Sequence, residues 1–584
     1  MRLFKYIALA SVLSLSSCSK DFLGDDFLTK DPLDQLTDPA FWSSENNIRT
    51  YTYGFYNYYF KGYGSGWAWG DYFAGQFIND DFSPQSPNEN VVTQFLINVP
   101  TSGGGWSPAL PSSQTPTNAS SYYSRIRKAN HFIESVPIAE LDEEVQNHWL
   151  GIGRFFRGLE YANFVNTFGD VPYIDRVMQE DDPELYKPRD SRVLVMDKVL
   201  EDFQFAAEHV RSSDGAAQQS VNKYVVLAYM SRVFLFEGTW LKYHDINQDK
   251  AQEYLQAAKW AADEVIKSGA FSISDDYRAL FTSESLKGNP EVILFKEYVE
   301  GVMQHSLMSY NNLEPQAGIS KNAIDSYLLS DGLPTGISPL YNGDKTVADA
   351  LKNRDGRMGQ TVAPGLRMMN TMSNYAFSGY AAHKFLNEEL KNETVGSSSL
   401  NITDAPIIRY GEVLLNYAEA SAELGELTQA DLDKSINVLR KRQGVNLPAL
   451  QVAGNMPSVN GQTYDDPDRD ASVPSMLWEI RRERRSEMMF EGLRLDDLRR
   501  WKKLEYADTE KNPTINRGAY IVKSDYTSGQ LNGITIDGNQ EGYIIPSNSV
   551  KRTVEDKFYL DPLPLDQISL YRNNGAELTQ NPGW

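Results

Sequence analysis

The sequence predicts a mainly α-helical protein in which a scaffold of helical hairpins carries a loop-rich part built around short strands. Three observations carry that prediction. Apolar residues recur every three to four positions through several long stretches, which lines them along one face of a helix. Short turns separate successive stretches, so neighbours pack as hairpins. Between and after them lie tracts rich in Gly, Ser, Pro, Asn and aromatic residues, which interrupt helices and read as loops.

The chain opens with Arg2 and Lys5, followed by an apolar run from Tyr6 to Ser17. Roughly twelve residues are too few to cross a bilayer, which takes about 20. Residues 1–17 therefore read as a secretory signal peptide. Leu15-Ser16-Ser17-Cys18 has the form of a lipobox, which makes Cys18 the lipidation site and the first residue of the mature chain. Residues 18–30 form an acidic tether through Asp25 and Asp26, similar to a surface-export signal of some Gram-negative lipoproteins. The nearest later approach to a membrane span, Val225 to Phe236, is interrupted by Arg232. Membrane attachment then rests on lipid alone.

Two regions follow, 31–320 and 321–584. In the first, residues 28–60 are mixed and aromatic, and residues 62–116 form a loop insert around short strands such as Val91 to Val99. Helices are expected over Ser121 to Val136, Glu143 to Phe168, Val193 to Val210, Lys223 to Glu237 and Asp249 to Lys267, each from its apolar stripe. Residues 271–403 read as loop with short strands. Helix returns over Arg409 to Leu424, Asp431 to Arg442 and Pro474 to Lys503, the last expected to be the longest. Scaffold and loops are thus intertwined along the chain.

Composition narrows the function. Of 584 residues, 41% are hydrophobic and 23% charged, the balance of a folded globular protein. The formal charge of −22 repels phosphate backbones, which excludes nucleic acid and favours a neutral ligand. Cys18 is the single cysteine, so disulfides, thiolate zinc sites and a cysteine nucleophile are excluded.

Four segments carry a family resemblance. Arg481-Arg482-Glu483-Arg484-Arg485-Ser486-Glu487-Met488-Met489-Phe490-Glu491-Gly492-Leu493-Arg494, running on to Arg499-Arg500-Trp501, resembles the signature helix of the SusD/RagB family. Phe155-Phe156-Arg157-Gly158-Leu159 leading to Phe168-Gly169-Asp170-Val171-Pro172 is similar to that family's second helix and its exit. Pro406 to Tyr410 with Glu412 to Ala420, and the terminus from Tyr559 to Trp584, are similar to two further blocks. The resemblance implies four tetratricopeptide-like hairpins, an arrangement that the irregular helix spacing by itself leaves open. It also implies a surface lipoprotein of the outer membrane that lids a SusC-like TonB-dependent transporter. The implied ligand is oligosaccharide or, in some members, peptide.

The arginine-rich segment itself reads as structural. Glu479 and Arg482, Arg484 and Glu487, Glu491 and Arg494, and Asp496 and Arg500 stand three or four apart, which sets opposite charges side by side on a helix. The aromatic loops are the candidate ligand site. Sugars present apolar C–H faces ringed by hydroxyls, so aromatic rings can stack on them while Asp, Asn and Arg bind the rim. The candidates are Trp67, Trp69, Asp71, Tyr72 and Trp106; Tyr310 with Asn311 and Asn312; and Tyr375, Phe377 and Tyr380. Trp69 and Trp106 are expected to stack on sugar rings.

Catalytic patterns are missing from the sequence. The histidines at 131, 148, 209, 244, 305 and 383 form no HExxH and no close pair. Gly62 to Gly66 lacks the order of a nucleophile elbow. Asp245, Asn247 and Asp249 echo a calcium loop, but Lys250 replaces its glycine, and helix capping accounts better for the run. Asp465, Asp466, Asp468 and Asp470 read as a solvated loop. No cofactor is expected; a structural calcium ion stays open. Two other readings are a peptide-binding importer lid and, in a different class, a glycoside hydrolase, which needs only two well-spaced carboxylates.

Overall fold

The computed structural model describes residues 41–67, 70, 72–73, 78–87, 94–95, 97–103, 106, 122–179 and 181–584. Cys18, Trp69, Asp71 and residues 91–93 and 96 lie outside them.

Long helices build the first half: α1 (Glu45–Tyr59), α2 (Tyr122–Ser135), α3 (Glu143–Phe168), α4 (Arg192–His209), α5 (Lys223–Tyr243) and α6 (Gln248–Ser268). Side chains of Ser44, Ser191, Asn222 and Asn247 accept first-turn amides at four of their N-termini, satisfying donors that a helix start leaves free. The calcium-like run at Asp245 is therefore a helix cap. Helix α3 buries Ile152, Phe155, Phe156, Phe164 and Val165 between α2 and α4, and each such side chain contributes about 1.5–3 kcal/mol. Helix α1 falls where the sequence reads only as mixed. Its buried face is Ile48, Thr52 and Phe55, and Tyr51, Tyr56 and Tyr59 pack beside them, so tyrosine rings supply a stripe that a hydropathy pattern misses.

The second half adds a short helix α7 (Leu307–Asn312), then α8 (Tyr410–Glu423), α9 (Ser475–Met488), α10 (Arg494–Arg500) and α11 (Leu565–Asn573). Asp431 to Arg442 forms two short helices, Gln429–Asp433 and Ile436–Arg440, rather than one. Helix α8 packs against α5, α6 and α9, so both halves share one large core. Strands are few and short. Antiparallel β1 (Val292–Lys296) and β2 (Ala405–Arg409) lead into α8; β3 (Leu450–Ala453), β4 (Met456–Val459) and β5 (Gln462–Thr463) form a meander; β6 (Tyr520–Val522) and β7 (Thr535–Ile536) flank β8 (Glu541–Ile545). Residues 97–99 form no strand. A second core, around Tyr63, Phe73, Phe82, Ile324, Phe385 and Phe490, lies beneath the loop-rich part.

The helix expected over Pro474 to Lys503 breaks in two, and α3 is the longest helix among the described residues. Phe490 (φ 67°) and Gly492 (φ 83°) take left-handed conformations that end α9 before α10 begins. The Phe490 carbonyl accepts the Phe73 amide at 2.8 Å, and its ring meets Phe73 and Phe82. The break therefore fastens the loop insert to the scaffold.

Of the four charge pairs expected in this segment, Glu479–Arg482 forms, at 3.2 Å. The other three do not form, and most of these residues find partners in other elements, because the segment is buried on nearly every side; Arg500 also takes Asp497 within its own helix. Glu487 binds Arg357, Arg409 and Arg442 at 2.7–2.9 Å, and Glu491 binds Arg409 and Lys384, both at 2.7 Å. Arg484 and Arg500 share Asp497, and Arg500 also binds Glu419. Arg485 and Arg494 reach Asp80 and Asp81 of the loop insert. The acidic run before α9 is in part a latch: Asp466 accepts from Arg482 and Trp478, and Asp470 from Lys503 and Tyr506, while Asp465 and Asp468 are exposed.

Candidate functional site

The site is built on three backbone segments that meet above the second core. Left-handed Gly66 (φ 56°) donates its amide to the Gln304 carbonyl at 2.7 Å, and this turn leaves the next residue, Trp67, 51% exposed. Below it His305 is fully buried. Its Nδ1 accepts the Leu307 amide at 3.1 Å and its Nε2 lies 2.9 Å from the Thr403 carbonyl, an arrangement that requires the neutral ring. Burial accordingly holds its pKa down at about 4. The ring of Trp67 meets that of Tyr310, on α7, edge to face, with centroids 5.8 Å apart and planes at 82°.

The third segment joins through Gln316. Its backbone amide donates to the Tyr375 carbonyl at 2.8 Å, and its side-chain amide donates to the Tyr310 carbonyl at 3.0 Å. Tyr375 and Phe377, both half-buried, form a second perpendicular ring pair with centroids 5.4 Å apart. The Asn374 amide donates to the Asn312 carbonyl, and its oxygen accepts from Arg367 at 3.2 Å. Asn312 donates its own amide hydrogens to the carbonyls of Lys391 and Gly396, at 2.6 and 2.8 Å. It is therefore a brace and not an exposed ligand. Val302, 81% exposed, lies in the turn just before Gln304. Rings set at right angles present faces in two directions, which suits an apolar, curved ligand face with polar groups at its rim.

The expected site residues thus divide. Trp67, Tyr310 and Tyr375 come together. Tyr72 packs into the second core against Tyr63, with centroids 5.0 Å apart. Trp106, 3% exposed, packs edge-on against Phe164 and Phe168 of α3, and Tyr380 is 1% exposed. These three rings offer no face to solvent, and Trp106 as a stacking platform is corrected on that ground. Asn311 is buried and donates to the Leu307 carbonyl. Sequence reasoning missed Gln316, Arg367 and Asn374. The Arg367-to-Asn374 spacing was visible, but only the fold reveals that it spans a turn facing α7.

A cleft of about 830 Å³ runs along the scaffold between α3, α5 and α10, floored by Tyr59, Tyr122, Tyr229 and Phe236. Its charged groups mostly serve each other: Arg125 binds Glu160, Arg232 binds Glu412, and Arg499 binds Asn166 and Asp496. Among the described residues no group of three or more His, Cys, Asp or Glu is arranged to hold a metal ion.

Comparison with known proteins agrees with this architecture. The SusD family model matches residues 290–584, and a second model, described as starch-binding and associating with the outer membrane, matches residues 26–235. SusD-like protein P38 of Formosa agariphila is 24% identical over 512 residues, covering 85% of this chain and 91% of that protein. Among solved structures, a SusD-like carbohydrate binding protein from Bacteroides fragilis superposes with a TM-score of 0.65 at 20% identity, over 91% of this chain and 99% of the other. Surface glycan-binding protein A from Bacteroides fluxus gives 0.59 at 16% identity, over 93% and 100%. The helix-rich frame, the arginine-rich α9 and the two matching models together establish that this chain belongs to the SusD family.

Proposed function

We propose that this chain captures oligosaccharide at the cell surface and delivers it to a SusC-like TonB-dependent transporter, breaking no bond itself. The observation that carries the reading is the exposed Trp67 ring set against Tyr310, with Tyr375 and Phe377 fastened beside them by Gln316. Exposed aromatic rings on a rigid frame are costly to leave in water and gain by stacking on sugar faces. Carbohydrate binding in the family and in the superposed proteins supports the same class of ligand. The lipobox at Cys18 supports anchoring by lipid in the outer membrane, facing outward.

Calorimetry against a panel of oligosaccharides tests the platform. A bound glycan should lose at least about ten-fold in affinity when Trp67 and Tyr310 are both changed to alanine, since stacking contributes roughly 0.5–1.5 kcal/mol per ring pair beyond area burial. Unchanged affinity rejects the assignment. New reducing ends after incubation with that glycan would restore the hydrolase reading.

A further inference from the structure

Arg367 stands out within the platform. The guanidinium donates to the Asn374 side-chain oxygen at 3.2 Å and lies 3.8 Å from the Met372 sulfur, both neutral. No carboxylate lies within ion-pair distance of it among the described residues. Many arginines of the interior hold one or more carboxylates, whereas Arg367, like the buried Arg354, has no ion pair among the described residues. Arg367 is half-buried, and its backbone is pinned on both sides, its amide to Gly379 and its carbonyl to Ala376. A half-buried guanidinium with only neutral partners keeps donors for an incoming anion. A guanidinium presents a planar fork that matches carboxylate and sulfate oxygens.

We propose that Arg367 binds an anionic substituent of the glycan, so that the ligand carries an oxyanion, a uronate carboxylate or a sulfate ester, beside the sugar faces stacked on Trp67 and Tyr310. This deepens the oligosaccharide reading and rests on it. It also departs from the neutral ligand that net charge favours: the −22 acts at long range and is screened, whereas Arg367 acts at contact. Asn374, bonded at once to Arg367 and to α7, sets the distance between the charge and the rings.

The test is calorimetry on the full chain and its Arg367→Gln, Arg367→Lys and Trp67→Ala variants. The probes are hexagalacturonate, a sulfated carrageenan hexasaccharide and laminarihexaose, at low and high salt. At least one acidic probe should bind about ten-fold more tightly than laminarihexaose, with the margin shrinking in salt. Arg367→Gln should erase the margin, while Arg367→Lys should keep part of it. Whichever acidic probe carries the margin tells uronate from sulfate. Three results overturn the proposal: neither acidic probe binds, acidic and neutral probes bind alike, or the margin survives Arg367→Gln. Loss of all binding in Trp67→Ala together with an unaltered Arg367→Gln rejects the charge assignment and keeps the platform. Unchanged affinities in Trp67→Ala reject the platform and the proposal with it.

Discussion

Single side chains in this protein carry very unequal weight. Glu487 is fully buried and holds Arg357, Arg409 and Arg442 at once, and those arginines keep its carboxyl far below the ordinary range. Glu487→Gln leaves three guanidiniums without that charge, so the expected loss is about 3–5 kcal/mol in urea unfolding. Glu253→Gln, which breaks an exposed pair with Lys250, should cost under about 0.5 kcal/mol by the same measurement. Equal effects would mean that the buried network is solvated and not structural. The arginine-rich motif was legible as a structural element from its charge spacing, but its partners were not. A one-dimensional pattern offers only neighbours three or four residues away, whereas Asp80 meets Arg494 across most of the chain.

At the level of elements, close approach and helix propensity compete. Gly238 lies in α5 where α6 crosses, and a Cβ there would stand 2.7 Å from Leu255 Cγ and 3.0 Å from its backbone nitrogen. Alanine would gain about 1 kcal/mol of helix propensity. Overpacking against backbone costs about 1–3 kcal/mol, so Gly238→Ala should be net destabilising and lower the urea midpoint. The N-cap of the same helix gives a second test: Asn222 accepts the amides of Tyr224 and Val225, and Asn222→Ala should cost about 1 kcal/mol, read as a lower thermal midpoint. Most helices were legible because packing selects apolar spacing. Helix α1 was missed because its stripe is partly tyrosine, and the break between α9 and α10 because Phe490 gives no local sign that it will turn left-handed.

For the whole molecule, acid is the expected weakness. Burial holds His148, His244, His305 and His383 at about 4, below the ordinary value of about 6.5. A depressed histidine pKa means that the unfolded chain takes up protons first. Its contribution to stability is complete above pH 6.5 and is lost as pH falls towards 4. Asp404, pushed up to about 6 by burial, opposes this in part, as do buried carboxyls such as Asp202 and Asp561 that burial also raises. The thermal midpoint should therefore drop on the order of 5 °C between pH 7 and pH 5. A midpoint that holds steady across that interval counts against the buried, neutral state of these rings. Since His305 lies under the Trp67 turn, glycan affinity should hold from pH 7 to pH 5 and weaken only as pH falls through about 4.

The sequence alone determined the helical class, most helix positions, the family and the aromatic character of the candidate site, because each of these is written in local spacing or in contiguous motifs. Tertiary structure alone decided which aromatics face water. Trp67, Trp106 and Tyr380 look alike as rings in glycine-rich or polar loops, yet only the first is exposed, because the other two are packed into the cores. It alone also showed Arg367 bonded to the Asn374 that braces α7, with no carboxylate at ion-pair distance among the described residues. Burial and charge pairing are properties of what the rest of the chain brings near a residue, and no window along the sequence contains that information.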